Sequence, residues 1–157
     1  MKNKQTFDML ISHNQIQIRS IPYDQSLCEW GSKNIEQGVL IHPSYISFDP
    51  LVEGSFGANI FIKKSDAFTY DSNAQRCMRV PFSMHETSAE VVTPGEVNSI
   101  DIGLTSGQWD IYYEICEDEE IYFNFTFIKS MEKSTPVYLM NDDYGGKKLE
   151  TLIVGKE

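Results

Sequence analysis

From Trp109 to Ile128 the chain reads WDIYYEICEDEEIYFNFTFI, and its apolar residues recur at every second position. Trp109, Ile111, Tyr113 and Ile115 share one parity, which Ile121, Phe123, Phe125 and Phe127 continue. Asp110, Tyr112, Glu114, Tyr122, Asn124 and Thr126 take the other. A period of two is that of a strand with one face buried, and β-branched and aromatic side chains favour the extended backbone. Glu117, Asp118, Glu119 and Glu120 between the runs are too polar to bury. The pattern therefore predicts a β-hairpin with an acidic tip. A register that sets Glu114 beside Tyr122, Tyr112 beside Asn124 and Asp110 beside Thr126 keeps the aromatic parity inward. A slip of one residue would turn every core aromatic to water. The outer face then carries carboxylates, tyrosine hydroxyls and an amide, but no base.

Shorter alternating runs fill the rest of the chain. Phe7 to Ile21 predicts one strand, or two broken near His13-Asn14. Further strands are expected at Val39–Ile41, Tyr45–Phe48, Ala58–Lys63, Cys77–Phe82, Ala89–Val92, Val97–Leu104 and Pro136–Met140, with Leu149–Val154 pairing back. Pro81 places its strand at an edge or a bulge, because proline has no N–H to donate to a ladder. Ser65 to Gln75 is polar and reads as a loop. Ser32 to Gly38 is the one convincing helix, with Ser32 as its cap, Gly38 as its left-handed terminator and Trp30 anchoring it to the sheet. Short strands at close spacing, separated by turn signals, predict an all-β fold, an antiparallel β-sandwich with one short α-helix. At 157 residues the expectation is a single domain over 1–157.

Charge changes the picture more than composition does. From Val80 to Ile128 there is no lysine or arginine, while the same span holds ten carboxylates: Glu86, Glu90, Glu96, Asp101, Asp110, Glu114, Glu117, Asp118, Glu119 and Glu120. The formal net charge of the whole chain is −10, so the remainder is balanced. Segregated charge makes a field that attracts partners of opposite sign, although acidic surfaces also serve solubility alone. A pI near 4.7 speaks against direct binding of nucleic acid phosphates or of an anionic membrane. No apolar stretch has the length of a transmembrane helix, and MKNKQTFDMLIS lacks the apolar core of a secretion signal. Cys28, Cys77 and Cys116 are odd in number and dispersed, which argues for free thiols in a reducing cytoplasm rather than a disulfide framework or zinc knuckle.

The residues offer little to catalysis. His13, His42 and His85 form no metal-binding spacing. Gly54-Ser55-Phe56-Gly57 is one residue short of a nucleophile elbow and reads as a turn. Gly145-Gly146-Lys147 lacks the spacing and following helix of a phosphate loop, and Asp142-Asp143 reads as a hydrated turn rather than a calcium loop. The carboxylates at Glu114 and Glu117–Glu120 would supply the pair a glycosidase requires, but they sit on an exposed hairpin rather than in a cleft. No cofactor and no metal site are expected. Recognition remains: a rigid acidic hairpin with Trp109, Tyr112 and Tyr122 nearby combines contact area with steering charge.

Several landmarks occur in an order that resembles the competence protein J family, inhibitors of a nuclease that acts in DNA uptake. They are Leu10-Ile11-Ser12-His13-Asn14-Gln15, Trp30 with Ile35-Glu36-Gln37-Gly38, Ile46-Ser47-Phe48, Val80-Pro81-Phe82, Ser99-Ile100, and Gly107 before Trp109-Asp110-Ile111-Tyr112. They span about Leu10 to Lys129; from Met131 onward the chain has no clear counterpart. The resemblance implies a cytosolic, non-enzymatic protein that binds a nuclease and blocks it, with some relatives acting as immunity proteins. Charge and exposure select the partner-binding residues, Asp110, Glu114, Glu117, Asp118, Glu119 and Glu120, with Tyr112 and Tyr122 as packing contacts against a basic cleft. Reversing Asp66, Asp71 and Glu53, outside the base-free segment, is expected to leave inhibition intact. The alternative is a β-sandwich binding module for a small molecule or carbohydrate, which an aromatic-lined pocket would favour.

Overall fold

The structure is a computed structural model that describes residues 3–11, 15–51, 58–86 and 88–157. In chain order its elements are β1 (Lys4–Met9), β2 (Ile16–Arg19), a 3-10 turn (Gln25–Cys28), α1 (Ser32–Gln37), β3 (Val39–His42), β4 (Tyr45–Phe48), β5 (Ala58–Lys64), β6 (Ala74–Met84), β7 (Ala89–Thr93), β8 (Glu96–Ile100), β9 (Gly107–Glu117), β10 (Ile121–Lys129) and β11 (Val137–Tyr138). The strands form two sheets, ordered β1-β5-β10-β9-β6-β11 and β3-β4-β2-β7-β8. Their apolar faces meet in one core, so the architecture is the expected β-sandwich with one short α-helix. The segment around His13-Asn14 and the Gly54–Gly57 turn lie outside the described residues.

The β9–β10 hairpin forms as its alternation requires. Trp109, Ile111, Tyr113, Ile115, Phe123, Phe125 and Phe127 are all buried. From the facing sheet, Phe48 packs on Tyr113 and Phe125 at ring-centroid distances of 4.4 and 5.2 Å. Each such side chain contributes about 1.5–3 kcal/mol by leaving water. The expected register is corrected by two residues: Glu114 lies opposite Asn124, Tyr112 opposite Thr126, Asp110 opposite Ile128, and Tyr122 opposite Cys116. A shift of two keeps every side chain on its face, which is why alternation does not detect it. The turn decides the matter. The expected register would reverse the chain on Asp118 alone, whereas the observed one leaves Asp118, Glu119 and Glu120 to turn between Glu117 and Ile121. Hairpin tips of this length are common.

One pairing departs from an antiparallel sandwich. β5 lies parallel to β10, while β6 and β10 both lie antiparallel to β9, so β5 and β6 run the same way. Parallel strands need a crossover. Here it is Ser65 to Asn73, most of the polar segment Ser65–Gln75 read as a loop; Ala74 and Gln75 already belong to β6, which starts three residues before the expected Cys77. The crossover leaves the far end of the hairpin, where the Ser65 N–H donates to the Phe127 carbonyl (3.0 Å), and arrives at the tip, where the Glu117 N–H donates to the Asn73 carbonyl (3.1 Å). This strap therefore runs back over the outer face of β9 and β10.

Other boundaries shift for local reasons. Gly31, not Ser32, precedes α1 as its cap, and the Asn34 side chain accepts from the N–H of Gly31 and of Glu157, both at 2.9 Å. A Cβ on Gly31 would come within 2.3 Å of the Glu157 carbonyl oxygen, so this close approach requires glycine. Gly38 closes the helix in the left-handed region, φ 88°. Trp30 is half-buried and bonds Gln15 rather than entering the core. Ile102 and Leu104 are buried beyond the end of β8, outside any strand. β6 is flanked by the two-residue β11, which pairs only Met78 and Arg79. Pro81 thus lies past the end of its outer neighbour, in keeping with an edge position.

Residues 129–157 are stitched to both sheets. β11 extends the first, Val154 bridges Ile41 of the second, and Leu152 enters the core. The expected turn forms and Asp143 is exposed, but Asp142 is not hydrated: its side chain is 0% exposed and pairs with the equally buried Arg76 at 2.9 Å. It also accepts from the N–H groups of Tyr144 and Gly146. Among the described residues, no helix is long and apolar enough to cross a membrane. Cys28, Cys77 and Cys116 are free, and burial pushes the Cys77 and Cys116 thiols above their usual range.

Candidate protein-interaction surface

The strap divides the hairpin's polar face into a covered part and an open tip. Phe68 of the strap stacks on Tyr112 (centroids 4.3 Å apart, planes at 16°), which leaves Tyr112 half-buried. Asp110 is half-buried and accepts from the Ser134 hydroxyl. Glu114, expected to face a partner, is only 2% exposed. Its carboxylate accepts from the Asp71 N–H at 2.9 Å and from the Asn124 amide at 3.3 Å, so its work is to hold the strap. Trp109 is 3% exposed, in the core as its parity requires, and so gives the surface no contact area.

Toward the tip the face opens. Glu117, Asp118, Glu119 and Glu120 are exposed, and Tyr122 is half-buried. Below them lies a shallow groove of about 500 Å³, lined by Phe61, Asp71, Asp118, Glu119, Glu120, Tyr122 and Asn124. Asp71 is its polar floor. One carboxylate oxygen accepts from the Tyr122 hydroxyl (2.8 Å) and the Asn124 amide (3.0 Å), and the other from the Asn73 N–H (2.9 Å). Phe61 meets Tyr122 edge to face, 5.6 Å between centroids.

These contacts split the two carboxyl groups. Desolvation is the largest influence on each. For Glu114 it prevails over the Asp71 N–H and the Asn124 amide and holds the carboxyl above its usual range. For Asp71 the Asn73 N–H, the Tyr122 hydroxyl and the Asn124 amide together outweigh it, so Asp71 sits low and stays ionised. Tyr122 is pushed up to about 12, first by desolvation and further by its bond to Asp71, against the opposing bond from Asn73.

The lysines of the first sheet gather at one end, while Arg76, opposite Ile115 near the tip, is buried and neutralised by Asp142. Lys63 lies opposite Thr126, Lys4 opposite Lys63, Lys64 opposite Phe127, and Lys129 closes β10. All four lie toward the end of the sheet remote from the tip. Among the described residues, neither the tip carboxylates nor Asp71 form an ion pair. A cluster of His, Cys, Asp and Glu able to hold a metal ion is absent among the described residues.

The family model of Competence protein J (ComJ) matches residues 8–128, more than half the chain. The chain belongs to the ComJ family. Among solved structures it is similar to ComJ from Bacillus subtilis, described as an inhibitor of the DNA degrading activity of NucA. The identity is 17% and the TM-score 0.70, over 82% of this chain and 98% of that one, so the two share a fold. Comparison with curated proteins finds no match.

The ComJ match encloses the strap, the hairpin and the groove. Sequence reasoning places Asn124 on the outer face without counting it as a binding residue, and it misses two of the groove's residues altogether, Phe61 and Asp71. Asp71 is expected to serve as a control, because it lies outside the base-free segment; the crossover brings it to the tip, so its reversal is no control. Their only sequence signal is weak: a phenylalanine on the polar parity of β5, and Asp-Ser-Asn in a turn. Glu53, the second control, lies outside the described residues.

Glu114 carries a pH prediction for this ComJ member. Its folded pKa is raised, so the stability linked to it is fully present below its unfolded value and is lost as pH rises through the folded value. Asp71 has the reverse sign: its contribution is present above its unfolded value and lost as pH falls through the depressed one. Glu114→Gln removes the first contribution while retaining an acceptor for the strap. The variant's melting temperature is expected to gain on the wild type as pH rises from about 4 to about 8. Melting curves that differ by a margin independent of pH would contradict it.

Proposed function

We propose that this chain is a non-enzymatic cytoplasmic inhibitor that binds a nuclease through its acidic hairpin tip. Membership of the ComJ family carries the reading, since a structurally similar ComJ is an inhibitor of NucA's DNA degrading activity. The polarised sheet supports it physically. A nuclease cleft that holds phosphates is basic, and exposed carboxylates at one end, with the lysines of the sheet's own strands at the other, offer charge where phosphates would go. Glu117, Asp118, Glu119 and Glu120 are the steering residues, and Tyr122 supplies contact area. Asp110, Tyr112 and Glu114 act behind them by holding the strap and the face on which the tip is built. A cell that holds its own nuclease silent in this way is protected as by an immunity protein.

The test is DNA cleavage by a NucA-type nuclease at low and high salt. Reversing all four tip carboxylates to lysine is expected to weaken inhibition at least about tenfold and to flatten its salt dependence. Reversing the exposed Asp66 and Glu132, near the far end of the sheet, is expected to change little. Single exposed charges contribute only about 0.2–1 kcal/mol, so the block is the informative variant. Equal inhibition by wild type and block at both salts would remove the tip from the mechanism.

A further inference from the structure

We infer that the groove beneath the hairpin tip is a seat for one arginine side chain of the partner protein. This deepens the proposed inhibitory reading and rests on it for the identity of the partner. An acidic tip by itself supplies only a field. The groove adds geometry: a concave space of about 500 Å³ with an aromatic wall on one side and carboxylates on floor and rim. The wall is Phe61, 37% exposed, braced edge-on by Tyr122 so that the pair keeps its orientation. The floor is Asp71, whose carboxylate is fixed by its bonds to Tyr122, Asn124 and the Asn73 N–H.

Lys4 and Lys63 line the adjoining groove and Lys148 lies on the other side of Asp71, but among the described residues none forms an ion pair with Asp71 or the tip, which leaves this carboxylate open to an outside cation. A fixed carboxylate beside an aromatic face selects among cations. A guanidinium is planar and weakly hydrated; it can lie against the ring while its N–H fork meets carboxylate oxygens. An ammonium is compact and strongly hydrated, and gains less from either surface. Long-range steering would treat lysine and arginine alike, so the groove makes a prediction that the field does not.

Two measurements test it. In the first, N-acetyl-arginine amide is titrated into the isolated protein and followed by NMR. The backbone signals of Phe61, Tyr122 and the tip are expected to move, and to move more than with N-acetyl-lysine amide. Equal responses to the two would overturn the seat, whatever the protein does to nucleases. In the second, Phe61→Leu is compared with wild type in nuclease inhibition. The substitution keeps an apolar side chain on an exposed face and removes the π surface; inhibition is expected to weaken about tenfold. Arginine-to-lysine replacements across the nuclease cleft should include one that costs a similar factor, and costs nothing further once Phe61 is leucine. Intact inhibition by Phe61→Leu, with every such replacement silent, would overturn the seat and leave steering in place. Failure of the wild type to inhibit would instead count against the proposed function, while the arginine titration would still judge the groove.

Discussion

Replacing Phe125 with alanine is expected to destabilise the protein by about 3–5 kcal/mol. Phe125 is 0% exposed and central to the sandwich. Its ring lies 5.2 Å from Phe48 of the opposite sheet and 5.1 Å from Tyr113 on the neighbouring strand. Ile62 on β5 completes the row across the sheet. Truncation removes the apolar surface and leaves a cavity between two sheets whose backbones are held by ladders on both sides, so the site collapses poorly. Domain stabilities are about 5–15 kcal/mol, so the loss is a large share. Urea titration of wild type and variant measures it, with Asp118→Ala at the exposed tip as a control expected within about 0.5 kcal/mol. A midpoint unchanged in Phe125→Ala would mean that the aromatic parity does not form the core.

Asp142→Ala is expected to cost about 3–5 kcal/mol as well, by a different route. The variant leaves the Arg76 guanidinium, whose side chain is 1% exposed, without its counter-charge. Arg76 would retain the carbonyls of Gln37 (3.4 Å) and Tyr144 (3.3 Å) and the faces of Tyr138 and Tyr144, none of which carries a negative charge. The N–H groups of Tyr144 and Gly146 lose their acceptor too. Asp142→Asn keeps an acceptor for those two groups and removes the charge, so its cost is expected to fall below that of alanine. Because Asp142 lies beyond the ComJ match and Arg76 within it, the loss should be accompanied by faster proteolysis of residues 129–157. Denaturation midpoints within about 0.5 kcal/mol of wild type for Asp142→Ala would show that the pair contributes only as exposed pairs do.

The sequence by itself determined which residues of the hairpin are core. The alternation of Trp109 to Ile115 and Ile121 to Phe127 admits one inward parity, because burying the other would place Asp110 and Glu114 between the sheets. It also determined the fold class, the short helix ended by Gly38, and the concentration of acid at Glu117–Glu120. Register was beyond its reach, because a shift of two residues leaves every side chain on its own face and only the space needed by the turn distinguishes the alternatives. Tertiary structure alone decided what covers the polar face. The parallel placement of β5 beside β10 obliges Ser65–Asn73 to cross the sheet. That crossing buries Glu114, stacks Phe68 on Tyr112 and delivers Asp71 to the tip, forty-three residues from the Glu114 it contacts. The partnership of Arg76 with Asp142, sixty-six residues apart, was hidden for the same reason. Local patterning reports the face a side chain takes within its own strand. Whether that face meets water depends on a segment elsewhere in the chain, and the path of that segment is set by how the strands are ordered.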